Sequence, residues 1–259
     1  LQIVGGGKMG QALLGGLIRA DWATPAELAV VEVVESQRQN LAAAFPAVQV
    51  ADSPLNGVDT ILAVKPHLTV EVCSGLVEPT RVISVAAGVT IGALEAALPS
   101  GTPVVRVMPN TPALVGFGAA GVAGGSSASH DDVAWAVGVL SAVGEAVVVP
   151  ETLLDAVTGL SGSGPAYVFL VAEALIDAGV SAGLPADVSA TLAGQTLLGA
   201  ATLLMSGQSS PAELRAGVTT PAGTTAAGLR VLEQRAVRAA FIDAVQAATD
   251  RSRQLGQGS

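Results

Sequence analysis

Lysine is nearly absent from this chain. Of its 12 basic residues only Lys8 and Lys65 are lysines, and none follows Lys65. Tyrosine and cysteine occur once each, as Tyr167 and Cys73, and histidine twice, as His67 and His130. Any mechanism that needs a Lys, Tyr or His acid/base in the second half is therefore short of candidates. A single Cys forms no intrachain disulfide, which suits a reducing, cytoplasmic compartment. Charge is sparse at 13%, the net charge is −9, and the ten Arg make no run. That excludes a nucleic-acid groove, which needs clustered positive charge. No basic stretch precedes an apolar one, so no signal peptide is expected. Leu1 already lies in a strand pattern, so a few initiating residues are expected before it. Val188–Ala212 carries no charge, but Ser189, Thr191, Gln195, Thr196, Thr202 and Ser206 interrupt it and Pro211 closes it. The pattern predicts a helix buried in a core or subunit interface, not a membrane span.

What is present is small and apolar. Half the residues are hydrophobic, only 3% are aromatic, and glycine occurs 31 times. Such a chain builds a core of Ala, Val and Leu and is not disordered. Its 259 residues suit one large domain or two modest ones. Short β-branched runs predict strands at Leu1–Val4, Leu28–Val33, Thr60–Val64, Arg81–Ala86 and Val104–Met108. Helical patterns lie between them at Met9–Ala20, Ser36–Phe45, Leu68–Leu76 and Ile91–Leu98. The alternation implies an α/β fold, a doubly wound parallel sheet. Ala119–Ala123, a helix near Ser129–Val143 and Ala146–Val149 would extend it. After Pro150 only helical stretches remain, punctuated by Pro and Gly: Leu153–Leu160, Pro165–Gly179, Pro185–Ser206, Pro211–Ala216, Thr225–Glu233 and Ala236–Leu255. The expected division is a sheet domain over 1–151 and an all-helical domain over 152–259, the latter buried against a second copy.

The first strand runs into Gly5-x-Gly7-x-x-Gly10 and then a helix. In that context the glycines form a dinucleotide-binding fingerprint: Gly5 for the tight turn, Gly7 for backbone approach to a pyrophosphate, Gly10 for close helix–strand packing. Glu32 stands 22 residues past Gly10 at the end of the second strand. An acid there binds a ribose 2′-hydroxyl and repels a 2′-phosphate, so the position leans to NAD; the nearest downstream Arg is Arg38. Lys65 follows the third clear strand and either contacts the cofactor or holds its loop. His67 is expected to be an ordinary loop residue, and Met108 and Trp135 core. No metal site is expected.

Several segments together resemble the pyrroline-5-carboxylate reductase family. They are Val4-Gly-Gly-Gly-Lys-Met-Gly-Gln-Ala-Leu13, Ala63-Val-Lys-Pro66, Val85-Ala-Ala-Gly-Val-Thr90, Arg106-Val-Met-Pro-Asn-Thr-Pro112, Leu153–Tyr167 with its Ser161-Gly-Ser-Gly-Pro165, Glu173–Gly179 and Val218-Thr-Thr-Pro-Ala-Gly-Thr-Thr-Ala-Ala-Gly-Leu229. The resemblance implies an N-terminal Rossmann-type domain and a C-terminal helical dimerisation domain. Each active site would join one subunit's cofactor domain to helices of its partner, in a homodimer or larger oligomer of dimers. Val4, Gly5, Gly6, Gly7, Lys8 and Met9, then Ala63, Val64, Lys65 and Pro66, then Val85, Ala86 and Ala87 would line NADPH or NADH. Glu151 and the Thr220–Thr225 turn would meet a cyclic imino acid. Two departures stand out: Pro221-Ala222-Gly223 where the family has Pro-Gly-Gly, and Lys8 where many members have an uncharged residue. Ala222 would shift the turn if the position needs positive φ.

The implied reaction is hydride transfer to the imine carbon of 1-pyrroline-5-carboxylate, giving proline. A protonated imine is already electrophilic, so a domain without Lys or His suffices. In the Thr220 turn, the Thr220 hydroxyl and the N–H groups of Gly223 and Thr224 are expected on the substrate carboxylate. The Thr225 hydroxyl is expected on the ring nitrogen. Ser161-Gly-Ser-Gly-Pro165 either faces the nicotinamide or lets helices approach. A β-hydroxyacid dehydrogenase would need a Lys in the second domain, and a short-chain dehydrogenase a Lys at Val171, four residues past Tyr167. An imine or deazaflavin-cofactor reductase survives these tests, as does a nucleotide sensor without turnover.

Overall fold

The computed structural model describes residues 1–257. Eight strands form one sheet: β1 Gln2–Val4, β2 Ala29–Val31, β3 Gln49–Ala51, β4 Thr60–Leu62, β5 Val82–Ser84, β6 Val104–Met108, β7 Gly118–Gly124 and β8 Gly144–Val148. Their order is β3-β2-β1-β4-β5-β6-β7-β8, and the first six run parallel. Ile3 sits in register between Val30 and Ile61. β1, β2, β4 and β5 are buried along their whole length. That is why they read as short, mostly apolar runs, with Gln2, Thr60 and Ser84 as buried polar residues among them: helices cover both faces. On those faces lie α1 Lys8–Arg19, α2 Glu35–Ala44, α3 Pro66–Ser74, α4 Ile91–Ala97 and α5 His130–Ser141. The starts follow local chemistry. Pro66 opens α3, Thr90 caps α4 by accepting from the Ala93 N–H, and Ser129 with Asp132 forms a capping box on α5.

Two features depart from the sequence reading. β3 was not expected; it is a three-residue edge strand, exposed to half-buried, with no apolar run to mark it. The sheet is not wholly parallel, since β7 runs antiparallel to β6 and β8 parallel to β7. Only Pro109–Phe117 separates β6 from β7, too short for a parallel crossover, so the chain must turn back.

The division of the chain also differs from a cut at 151. Of the described residues, one compact unit holds Leu1–Pro165 and 245–257; the other is Ala166–Ala244. Helical texture does begin at Glu151, but α6 Leu154–Val157 and the π-helical turn Thr158–Gly162 pack with the sheet. The Leu154 and Val157 side chains crowd the α-carbon of Gly121 on β7. The end of α11 (Val237–Gln257) joins them: Ser252 Oγ donates to Asp155 at 2.6 Å, and a methyl on Gly159 would strike the Thr249 hydroxyl.

The second unit contains most of α7 (Gly164–Ser181), α8 (Ala186–Met205), α9 (Pro211–Gly217), α10 (Thr224–Gln234) and the start of α11. Gly179 lets α8 approach α7, where Ser189 Oγ donates to the Ile176 carbonyl at 2.8 Å. Ser189 and Ala193 are the buried residues of this unit, while Phe169, Leu170, Leu192, Leu198, Met205 and Ile242 stand exposed. Glu151–Ser181 and Ala186–Met205 are long and apolar enough to cross a membrane by length and composition, and little of either is buried within the chain.

Candidate active site

In an open parallel sheet the ligand crevice lies beyond the carboxyl ends of the strands, where the strand order reverses. Here that point is between β1 and β4. The backbone draws the expected segments together there. The Gly5 N–H donates to Val31 O at 2.8 Å and the Ala63 N–H to Val4 O at 2.8 Å; the Val85 N–H donates to Leu62 O at 3.0 Å. Thus the residues that follow β1, β2, β4 and β5, among them Gly5, Glu32, Ala63 and Val85, lie side by side at the carboxyl ends of the strands.

Two of the three glycines take the packing roles their spacing implies. Gly5 has φ +110°, and a Cβ there would stand 2.6 Å from the Ala63 carbonyl oxygen. A Cβ on Gly10 would run into the Gly5 carbonyl, so helix and strand touch only because Gly10 has none. Gly7 is different: a Cβ there meets nothing within 4 Å, and Gly7 caps α1 with no side-chain hydrogen bond. The first intrahelical bond runs from the Gln11 N–H to Gly7 O at 2.9 Å, so the N–H groups of Lys8, Met9 and Gly10 have no partner within the helix and stand at the positive end of the α1 dipole. This cradle fits a pyrophosphate. Lys8 stands exposed at the first position of α1, and Lys65 exposed at the N-cap of α3. His67 lies on α3, not in a loop. Lys65 also holds its turn, since its carbonyl accepts from the Leu68 N–H at 2.9 Å.

Glu32 is anchored. Its Oε2 accepts from the Gly6 N–H at 3.1 Å and its Oε1 from the Val34 N–H at 3.0 Å. An ionised carboxylate has about four lone-pair sites, so acceptor capacity remains. Burial pushes the Cys73 thiol up to about 11, which makes it inert at neutral pH. Among the described residues no cluster of three or more His, Cys, Asp or Glu is arranged for a metal ion.

Glu151, expected on the substrate, is held through one carboxylate oxygen. Its Oε1 accepts from Arg106 at 2.9 Å and from the Ile91 N–H at the start of α4 at 2.7 Å. The Arg106 side chain is only 10% exposed, so this carboxylate supplies its counter-charge. Asn110, to which the sequence assigned no role, is buried just after β6. Its Nδ2 donates to Ser161 O at 3.0 Å and its Oδ1 accepts from the Ala119 N–H at 2.8 Å. It ties the π-helical turn to the sheet, while a Cβ on Gly162 would stand 2.7 Å from Met108. Gly159 and Gly162 are thus close-packing glycines, whereas a Cβ on Gly164 would meet nothing within 4 Å. Such a bridge has no sequence signature, because its partners are backbone atoms far along the chain.

In the helical unit, Thr220–Thr225 forms a tight turn into α10. Gly223, with extended backbone, is the N-cap, so α10 starts at Thr224, one residue earlier than expected. The Gly223 N–H closes the turn on Thr220 O at 3.0 Å, which corrects its expected place on a carboxylate. The Thr220 hydroxyl lies against the Gly223 α-carbon, where any Cβ would collide with it. Ala222 has φ +58°, so the position does require the left-handed region and this chain meets it with a methyl-bearing residue. α10 has no side-chain cap, leaving the N–H groups of Thr224, Thr225 and Ala226 pointing out of its first turn.

A doubly wound sheet with an uncapped glycine turn at its switch point is the architecture of the dinucleotide-binding class. Comparison with known proteins narrows that class. Residues 151–255 match the family model for pyrroline-5-carboxylate reductase dimerisation, and residues 1–88 that of coenzyme F420-dependent NADP oxidoreductases. A pyrroline-5-carboxylate reductase of Methanosarcina acetivorans is 45% identical, over 98% of this chain and 97% of the relative. The solved pyrroline-5-carboxylate reductase of Coxiella burnetii superposes with a TM-score of 0.92 at 35% identity, covering 98% of this chain and 97% of its own. That of Plasmodium falciparum, with NADP bound, gives 0.83 at 28% identity, covering 98% and 97%. The chain belongs to the pyrroline-5-carboxylate reductase family. It is an NAD(P)H-dependent oxidoreductase, and it carries that family's dimerisation region.

Proposed function

We propose that the protein reduces 1-pyrroline-5-carboxylate to proline, as the closing step of a proline-forming route in the cytoplasm. Reduced nicotinamide supplies a hydride to the imine carbon. The protein orients the two partners and fixes the charges around them. Gly5–Gly10 with the N-terminus of α1 holds the pyrophosphate, and Ala63–Pro66 and Val85–Ala87 line the cofactor's path along the sheet. Glu32 contacts the adenosine ribose.

The substrate carries a carboxylate and an iminium nitrogen. The free N–H groups of Thr224 and Thr225 and the Thr220 hydroxyl receive the carboxylate, with the α10 dipole behind them. The Thr225 hydroxyl accepts a hydrogen bond from the protonated ring nitrogen. The iminium gains the hydride at carbon while nitrogen keeps its proton, giving the neutral secondary amine. No side-chain acid is consumed, which agrees with a helical unit free of Lys and His. Glu151 takes a positioning role through Arg106 and α4 rather than a substrate contact. Two copies bury the exposed faces of α7 and α8 against each other, without membrane or nucleic acid.

The uncapped, glycine-gated start of α10 carries this reading. Steady-state oxidation of NADH or NADPH on adding the cyclic imine tests it. Turnover to proline is expected; nucleotide binding with no turnover would reduce the protein to a sensor, and turnover only with a deazaflavin would move it to that rival.

A further inference from the structure

The loop after β2 decides what a dinucleotide's adenosine ribose meets, and its charges are unusual in arrangement. Arg38 is the sole basic residue between Arg19 and Lys65. It is not free. Its Nη1 donates to Glu32 O and to Val33 O, both at 2.8 Å, and its Nη2 pairs with Glu35 Oε2. Both Nη1 protons are therefore committed to carbonyls, and the charge faces a carboxylate. Glu35 is itself held, as Gln39 and Arg38 bond its carboxyl and keep it below the usual carboxylate range. Asp52, directly after β3, is close enough to act on Glu35 electrostatically. Glu32 stays in place because the Gly6 and Val34 N–H groups grip both its oxygens. Three carboxylates, Glu32, Glu35 and Asp52, thus lie in the segments that follow β2 and β3, and the one cation there, Arg38, is already paired with Glu35.

We infer that this chain discriminates against a 2′-phosphate and prefers NADH, with Glu32 as the fixed repelling charge and Glu35 as the residue that disarms Arg38. This rests on the dinucleotide occupying the crevice. It sets the chain apart from the NADP named for the family model over residues 1–88 and bound in the Plasmodium relative. Glu32 alone does not hold the preference, because removing it leaves Arg38 tied to Glu35 and two carbonyls.

Titration calorimetry with NADH and NADPH, without imine, tests this. The wild type is expected to bind NADH at least tenfold more tightly, and the ratio should shrink at high salt, as a repulsion between exposed charges must. Glu35→Ser should strengthen NADPH binding several-fold with NADH unchanged. Glu32→Ser with Glu35→Ser should bring NADPH to parity or beyond. Glu32→Gln, which keeps one acceptor for the glycine turn, replaces Glu32→Ser if that variant folds poorly. Arg38→Ala in the wild-type background should leave the ratio unmoved. Equal affinities in the wild type, or a selective loss of NADPH binding in Arg38→Ala, would overturn the proposal. Failure to bind either nucleotide would overturn the assignment of the crevice itself.

Discussion

Thr225 and Ala222 show how much rests on single side chains. If the Thr225 hydroxyl serves a charged ring nitrogen, its loss removes about 1.5–3 kcal/mol. Thr225→Val should then lower kcat/KM by about ten- to hundredfold, with the Kd for NADH unchanged. Near-wild-type kinetics would remove Thr225 from the mechanism. Ala222 sits at φ +58°, where a Cβ crowds the backbone. Ala222→Gly relieves that strain but frees the unfolded chain, so its stability should stay within about 1 kcal/mol of wild type. A β-branched side chain tolerates the left-handed region far less well. Ala222→Val should cost about 1–2 kcal/mol in urea unfolding at fixed protein concentration and raise KM more than it lowers kcat. An unchanged KM would mean that the turn's geometry does not matter to the substrate.

Between elements, the Glu151–Arg106 pair joins three pieces: the short turn before α6, strand β6 and the N-terminus of α4. Arg106 is nearly buried, so removing its partner leaves an uncompensated charge rather than merely a lost contact. Glu151→Ala should cost about 3 kcal/mol or more. Glu151→Gln should cost less, since it keeps an acceptor for the Ile91 N–H. A loss under about 1 kcal/mol in Glu151→Ala would show that water reaches Arg106. Gly5 and Gly10 work at the same scale, because each is where one element's backbone touches another. The glycine spacing made that legible in advance. The Glu151 bond to Ile91 was not, since its partners lie 60 residues apart and one is a backbone N–H.

For the whole molecule, the helical unit is the telling part. From Ala166 to Ala244 it exposes Phe169, Leu170, Leu192, Leu198 and Met205 and buries almost nothing of its own. Apolar surface on that scale needs a cover, and the matched dimerisation family supplies one of the same sequence. Light scattering should give a particle mass at least twice 25.5 kDa at micromolar concentration. Thermal stability should rise with protein concentration. Phe169→Glu with Leu192→Glu should break the assembly and abolish activity; a stable, active monomer would refute the dimer.

Sequence by itself determined what depends on near neighbours. Strands buried on both faces announced themselves as mostly apolar runs, glycines at fixed spacing marked the tight turn between β1 and α1, and Pro, Ser and Gly marked helix ends. The scarcity of lysine excluded rivals without any coordinates. Tertiary structure decided what depends on distant partners. It turned β7 back against β6, added the unmarked edge strand β3, and drew α6 and the end of α11 onto the sheet unit. It committed the Gly223 N–H to its own turn and Glu151 to Arg106, and it tied Arg38 to Glu35. Each of these is a contest among acceptors for one donor, or among packings for one surface. Only the folded chain, by setting which groups come within hydrogen-bond reach, resolves them.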